Sequence, residues 1–470
     1  MAALLQLVRG NDGLTTGSAF SLLDYTNDFN VSYGGWVQSV EQGNDPDLVS
    51  ETITLRLKQQ HARVEGGGQS AITPLNDVSV YVQQLNDKLR QAEEYFDDED
   101  ELYGIWLQSH YDGETYTRQA LIRRGRVAPQ SSFLSWAGKR GVVPEYILSL
   151  ERFPWESTSF RSGNVSSVNC RGALGTLFMV DASQTVNGDT EARIQSLMVE
   201  NDGTSTCLAD AWVGFRSGRF GTPTNFQPIW GLGDSSVTTG SDTSRVSDST
   251  AYGSYKAQCS FTTCASMAAR ATATLGSYTS YPSDQAGTFT VLMRAKVASS
   301  TICYARLLSG YSSGSGYDYR DRVKITSTSW KLYDMGTVKI PPHKYPPTGT
   351  DLSGFAMRIQ AERTTGTTLD MNYLALIPRT EGFVYIGGAA MVSAYRATVH
   401  SLCNKRIFGY QVMSSDYQSI TVSPAHFTLP LGSVSIVAAG QQAGQHSLTD
   451  AMSITIRFVP RWRMLRGNVT

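Results

Sequence analysis

The chain lacks any stretch that could cross a membrane as a helix: none of its apolar runs approaches the ~18–20 residues a bilayer requires. It also lacks a charge surplus. Forty Lys and Arg face 41 Asp and Glu, a formal net charge of −1 over 470 residues, whereas a nucleic-acid binder shows a basic excess or stripe. Charged residues of either sign make up only 17%, while glycine, serine and threonine are plentiful. That balance suits short strands joined by small-residue turns. Cysteine is sparse: Cys170, Cys207, Cys259, Cys264, Cys303 and Cys403. The spacing of Cys259 and Cys264 is not that of a zinc knuckle, and no histidine sits near any of the six at ligand spacing. They read as buried free thiols, with no disulfide expected. The opening "MAALLQLVRGNDG" has no cationic n-region and only a short apolar stretch. It reads as a first strand rather than a signal peptide, which places synthesis and assembly in a cytoplasm.

Short catalytic motifs are missing too. There is no G-x-S-x-G elbow, no H-E-x-x-H and no P-loop. "VEGGGQS" at 64–70 is glycine-rich but lacks the following Lys-Ser/Thr, so it reads as a flexible loop. The histidines, His61, His110, His343, His400, His426 and His446, are scattered. No short motif points to the two flanking carboxylates of a glycosidase. The expectation is a protein that is not an enzyme, with no cofactor and no metal site.

What is present is alternation, with one exception. "ETITLRL" places Ile53, Leu55 and Leu57 on one face and Thr52, Thr54 and Arg56 on the other, a half-buried strand. The period then changes. Val78, Val82, Leu85, Leu89, Ala92 and Phe96 step by four and three, one apolar stripe of a helix. Thr73 can cap it, with Pro74 at the first helical position. The stripe ends in the acidic run Asp97, Asp98, Glu99, Asp100 and Glu101. "HYDGE" at 110–114 reads as a hairpin turn leading to a basic strand with Arg118, Arg123, Arg124 and Arg126. Residues 1–164 thus form a small sheet-plus-helix unit. Residues 165–385 show no helical stripe. Phe289–Val297, Phe355–Ala361 and Leu369–Ile377 each alternate, which predicts an antiparallel β-sandwich. "GLGDSSVTTGSDTSRVSDSTAYGS" and "SGYSSGSGYDYRDR" read as exposed loops. Residues 386–470 return to strands, and patterning leaves open whether they stand alone or complete a neighbour.

Particular pieces carry a resemblance. "GTVKIPP" with Gly336, Val338, Ile340, Pro341 and Pro342, followed by "LDMNYLALIP" from Leu369 to Pro378, resembles a jelly-roll module of the galectin-like or carbohydrate-binding type. "SETITLRL", the helix "VYVQQLNDKLRQAEEYF", "TYTRQALIRRGRV" and "YILSLERFPWE" resemble the N-terminal part of tailed-phage distal tail and baseplate proteins. That resemblance implies a belt domain forming a ring about the tail axis, an outward sandwich, residence in the virion tail, and partners among other tail proteins.

An assembly role directs attention to the charges of the first unit. Acid at a helix C-terminus opposes the helix dipole. Asp97, Asp98 and Asp100 are therefore candidate subunit contacts for Arg123, Arg124 and Arg126 of a neighbouring copy. A glycan-contact role needs exposed aromatic faces beside polar groups, and Tyr311, Tyr317, Asp318, Tyr319 and Arg320 fall together in one Gly/Ser-rich loop. Trp212, Trp230, Tyr252 and Tyr255 are further loop-side aromatics, with the tryptophans more in keeping with core or anchor positions. Two function classes follow: a ring-forming tail structural protein with a weak host-polysaccharide contact, or a secreted or surface carbohydrate-binding protein of lectin-like type, with or without an associated glycoside-hydrolase activity.

Overall fold

The computed structural model describes residues 4–11, 14–15, 19–24, 36–40, 48–56, 78–98, 103–110, 117–129, 145–158, 161–169, 184–201, 208–217, 229–240, 242–261, 266–274, 286–311, 317–341, 355–380, 382–387, 396–401, 407–413, 416–419, 421–423, 428–442 and 451–463. These are mostly β, in antiparallel sheets, with one α-helix. Among them no helix is long and apolar enough to cross a membrane. Thr73 and Pro74, the 64–70 glycines, Asp100, the 111–114 turn and Cys170, Cys207, Cys264 and Cys403 lie outside the described residues.

The first unit holds β1 (Leu4–Asn11), β2 (Leu14–Thr15), β3 (Phe20–Asp24), β4 (Trp36–Val40), β5 (Val49–Arg56), α1 (Val78–Asp97), β6 (Gly104–His110), β7 (Arg118–Pro129), β8 (Glu145–Arg152) and β9 (Trp155–Ser157). Strand β7 changes partner along its length. Its first half pairs with β6 and β9, and its second half, after an irregularity at Ile122/Arg124, pairs with β8. The helix lays Leu85, Leu89 and Ala92 into the core with Ile53, Leu55, Leu148 and Leu150. Tyr81, one position from Val82 in the expected stripe, is buried with them and stacks against Phe20, with ring centroids 4.9 Å apart. Gly125 of β7 makes room for this packing. A Cβ there would stand 2.7 Å from Leu150 Cδ2 and 2.8 Å from Leu89 Cδ2.

Beyond it come β10 (Arg161–Asn169), β11 (Gln184–Val186), β12 (Thr190–Asn201) and β13 (Leu208–Ser217). Then follow β14 (Ile229–Gly231), β15 (Thr238–Thr239), β16 (Thr243–Ser247), β17 (Tyr255–Ser260), β18 (Ala268–Thr274), β19 (Gly287–Val297), β20 (Ile302–Tyr311), β21 (Asp318–Tyr319), β22 (Val323–Ile325), β23 (Lys331–Ile340), β24 (Phe355–Thr365) and β25 (Thr368–Pro378). The chain returns through β26 (Phe383–Gly387), β27 (Arg396–Ser401), β28 (Ile407–Met413), β29 (Asp416–Ser419), β30 (Thr421–Ser423), β31 (Thr428–Leu429), β32 (Gly432–Gln442) and β33 (Ala451–Trp462).

Patterning groups 165–385 as one sandwich, whereas the hydrogen bonds distribute it between two. Strands β12, β27 and β33 face the sheet β11-β32-β13-β26-β30 across a core of Ile194, Leu197, Val213, Phe215, Ile436 and Phe458. Strands β14 to β25 form a second sandwich, inserted between β13 and β26. One sheet runs β16-β17-β25-β19-β23 and the other β15-β18-β24-β20-β21. Residues 428–462 therefore join partners roughly 200 to 300 positions earlier, from Val434 with Ser217 to Trp462 with Trp155, pairings that local alternation cannot encode.

The two sandwiches stack. In β13, Ala211, Val213 and Phe215 point to the first core, while Trp212 joins the second. Val437 and Ala439 of β32 join the second core too, and Ile436 and Ala438 the first. Strand β25 was expected to be half-buried. It is buried from Leu369 through Pro378, because Leu374 and Leu376 are covered as completely as Met371 and Ala375. The Ser/Thr-rich stretch expected as a loop contains β16, an edge strand paired to β17 from Thr243↔Cys259 to Ser247↔Tyr255. Its residues are half-buried or exposed, so no apolar alternation marks it.

Candidate functional site

The inserted sandwich has an outward sheet built from β18, β24, β20, β21 and β22. Directly opposed residues of an antiparallel pair share a face, so the registers sort this sheet into rows. Thr272, Arg358, Leu308 and Tyr319 form one row. Gln360 and Arg306 form the next, and Glu362, Tyr304 and Lys324 a third. The intervening residues Cys303, Ala305, Leu307, Ile359 and Ala361 point into the core. Period-two alternation thus places arginine, glutamine, glutamate and tyrosine together on the outer surface of a rigid sheet.

Two tyrosine–arginine stacks dominate this surface. The Arg306 guanidinium lies 4.7 Å from the Tyr319 ring centroid, and Arg306 Nε donates to Gln360 Oε1 at 2.9 Å. The Arg358 guanidinium lies 4.5 Å from the Tyr317 centroid, and its Nη2 donates to the Tyr317 hydroxyl at 3.0 Å. At the far row Arg322 Nη1 pairs with Glu362 Oε1 at 2.6 Å. Tyr319 is 58% exposed, the most open large hydrophobic side chain among the described residues. In the rows set by strand register, Arg306, Lys324 and Arg358 stand with the acid Glu362, which Arg322 engages, so among the described residues of these rows cations outnumber acids in a chain whose overall charge is near zero.

Of the five loop residues singled out in the sequence, Tyr317 and Tyr319 come together here. Arg320 does not. Its Nε donates to the Thr337 carbonyl on β23, and its aliphatic stem packs 3.4 Å from where a Gly336 Cβ would stand. Asp318 is solvent-exposed with Arg320 Nη2 at 3.9 Å. Tyr311 closes β20 opposite Phe355, and its side chain lies outside the described set. Arg306 and Arg358 were not identified from sequence as site residues. Their signal is the polar half of the alternation in β20 and β24, visible only once strand register is known.

A second polar cluster fastens residues 248–254 to the other sheet. Asp248 accepts from the Thr250 amide at 2.9 Å and hydroxyl at 2.6 Å, with Lys256 Nζ at 3.4 Å and Lys296 Nζ at 3.5 Å. Lys256 also pairs with Asp370 at 2.7 Å. Arg294 is fully buried, donates to Asn372 Oδ1 at 2.7 Å and the Thr250 carbonyl at 3.0 Å, and stacks 4.7 Å from Trp330. Trp212 is buried in the core and Trp230 packs partly buried against it. Arg245 covers Tyr255 at 3.6 Å. Cys259 and Cys303 are buried free thiols. Burial, the neighbouring Cys259 thiol adding to it, pushes the Cys303 thiol up to about 12 against the pull of Arg270, so it stays protonated.

The charges of the first unit have partners within one chain. Arg124 Nε lies 2.6 Å from Glu151 Oε2, and Arg123 Nη1 lies 3.8 Å from the same atom. The Arg123 guanidinium also sits 5.4 Å from the Phe96 ring at the end of α1. The cation beside the acidic helix end is therefore the chain's own. Asp97, Asp98 and Arg126 remain exposed.

No protein-family model matches the chain, and no curated protein sequence matches it. Among solved structures, the endo-β-1,4-glucuronan lyase of the fungus Trichoderma reesei is similar at 9% identity. The alignment covers 49% of this chain and 90% of that one, with a TM-score of 0.14, too low to bear on fold or function.

Proposed function

We propose that this chain is a structural subunit of a phage tail or baseplate. It closes into a homo-oligomeric ring through its first unit and holds the inserted sandwich outward for weak, repeated contact with host-surface polysaccharide. The role is assembly and adhesion rather than catalysis. The observation that carries the reading is the brace between units. Strand β33 pairs with β9 of the first unit and with β10 and β12 of the neighbouring sandwich. Buried Glu156 of β9 receives Arg193 Nε and Nη2, both at 2.9 Å, with Arg461 Nε at 3.3 Å. Trp462 packs in the first unit's core. A ring subunit that passes load from its belt to an outer module needs such a continuous ladder. A free-standing binding module does not.

The exposed acids at 97–98 and the exposed Arg126 offer opposite charges for the ring contact, which salt should weaken. Mass photometry of the full chain is expected to show one discrete multiple of 51.3 kDa. Arg126→Glu should shift that species toward the monomer. A parent that stays monomeric at micromolar concentration while still binding polysaccharide would favour the free carbohydrate-binding reading instead. Single contacts near millimolar Kd, about −4 kcal/mol, gain useful avidity once repeated around a ring.

A further inference from the structure

We infer that the outer face of the β18-β24-β20-β21-β22 sheet recognises an acidic glycan, a sugar chain bearing carboxylate or phosphate groups, and that Arg306 and Arg358 are its anion-reading residues. This rests on the glycan-contact part of the reading above and is independent of ring assembly. Three observations lead to it. The first is charge: among the described residues the rows carry Arg306, Arg358 and Lys324 with one acid, Glu362, and that acid is already engaged by Arg322.

The second is preorganisation. Each guanidinium lies against a tyrosine ring and is pinned in its plane by a neighbour, Gln360 for Arg306 and the Tyr317 hydroxyl for Arg358. Arg306 uses only Nε in this way, so both its Nη groups are without a hydrogen-bond partner among the described residues. A planar fork held in place matches a carboxylate or phosphate through two parallel hydrogen bonds, and little side-chain entropy is lost on binding.

The third is the mixture of groups. Gln360, Glu362 and the tyrosine hydroxyls can accept from or donate to sugar hydroxyls, and the 58%-exposed Tyr319 presents a flat apolar surface to a sugar ring. A DNA backbone has no hydroxyl groups to meet Gln360 and the tyrosine hydroxyls, and a membrane surface would meet only one protruding ring. Neutral polysaccharide would leave the forks unmatched.

The test uses the assembled full-length protein on surfaces carrying polygalacturonate, glycerol teichoic acid, dextran or single-stranded DNA. Binding to polygalacturonate or to teichoic acid, with dextran and DNA at least about tenfold weaker, supports the proposal, and the two acidic surfaces tell carboxylate from phosphate. Arg306→Lys combined with Arg358→Lys keeps the charge and removes the fork. It should weaken acidic-glycan binding by about tenfold or more, with melting temperature and oligomer mass as the folding controls. If that pair perturbs folding, Tyr319→Leu at the exposed edge supplies the second variant, with the same loss expected. Equal binding to dextran would overturn the acidic specificity and leave glycan contact standing. Equal binding to DNA would reduce the face to a generic polyanion surface and overturn the proposal. If the protein, in whatever oligomeric state its mass shows, binds none of the four, glycan contact falls with it.

Discussion

Asp248 concentrates at one residue the balance that holds a surface turn. Burial alone would raise its carboxyl, but the Thr250 hydroxyl and amide and the ammonium groups of Lys296 and Lys256 outweigh it. Its pKa comes down from the ordinary 3.8 to about 2. A folded-state pKa below the unfolded value means stability that is fully present above about pH 4 and is lost as pH falls toward 2. The shift corresponds to about 2 kcal/mol, for a side chain 13% exposed. Urea unfolding of the parent and of Asp248→Asn, repeated from pH 5 to pH 2, should show a gap that closes across that window. A gap that does not change with pH would assign the lowered pKa no role in stability. None of this was legible in "DTSRVSDSTAYGS", where Asp248 is one acid among serines. Its partners Lys256 and Lys296 come from β17 and β19, and only the paired sheet brings them to it.

At the scale of elements, the one helix was the most readable feature and its seat the least. A 3.6-residue period locates Leu85, Leu89 and Ala92 without any tertiary knowledge. It cannot show that the surface receiving them requires Gly125, since that depends on how near α1 approaches β7. Gly125→Ala should destabilise the protein by about 1–3 kcal/mol, because Leu89, Leu150 and the Ser149 carbonyl already close the space. Leu89→Asp should cost several kcal/mol more by burying an unpaired charge. Thermal melts check both, and a Gly125→Ala melting temperature equal to that of the parent would mean the helix can lift without cost. Strands followed the same division. β24 was legible because its apolar residues alternate over most of the strand, while in β19 and β25 the alternation marks the strand but not its full burial. β16 was hidden because an edge strand exposed on both sides has nothing to alternate. The tyrosine–arginine face was half legible: Tyr317 and Tyr319 stood out by composition, while Arg306 and Arg358 reach them only through register.

For the whole molecule, the decisive connection is the long-range one. Glu156→Gln should remove the carboxylate that buried Arg193 and Arg461 share, costing about 3–5 kcal/mol. The loss should appear as lower joint stability of the first unit and its adjoining sandwich, with the inserted sandwich unaffected. Amide exchange resolved by segment would show that pattern, and uniform loss across all three would contradict it. The same brace has a consequence for biosynthesis. The inserted sandwich occupies one continuous stretch from β14 to β25, so it can close as soon as about 380 residues have been made. The two units flanking it cannot. Their ladders wait for β33, which supplies the missing neighbour to β9, β10 and β12 together. During translation the chain therefore carries both paired sheets of the inserted sandwich while its first unit still has an open sheet edge, the state most exposed to mispairing with other nascent copies. The first unit and its adjoining sandwich are thus completed only once the chain has been read almost to residue 462, an ordering of synthesis before closure that the topology itself imposes.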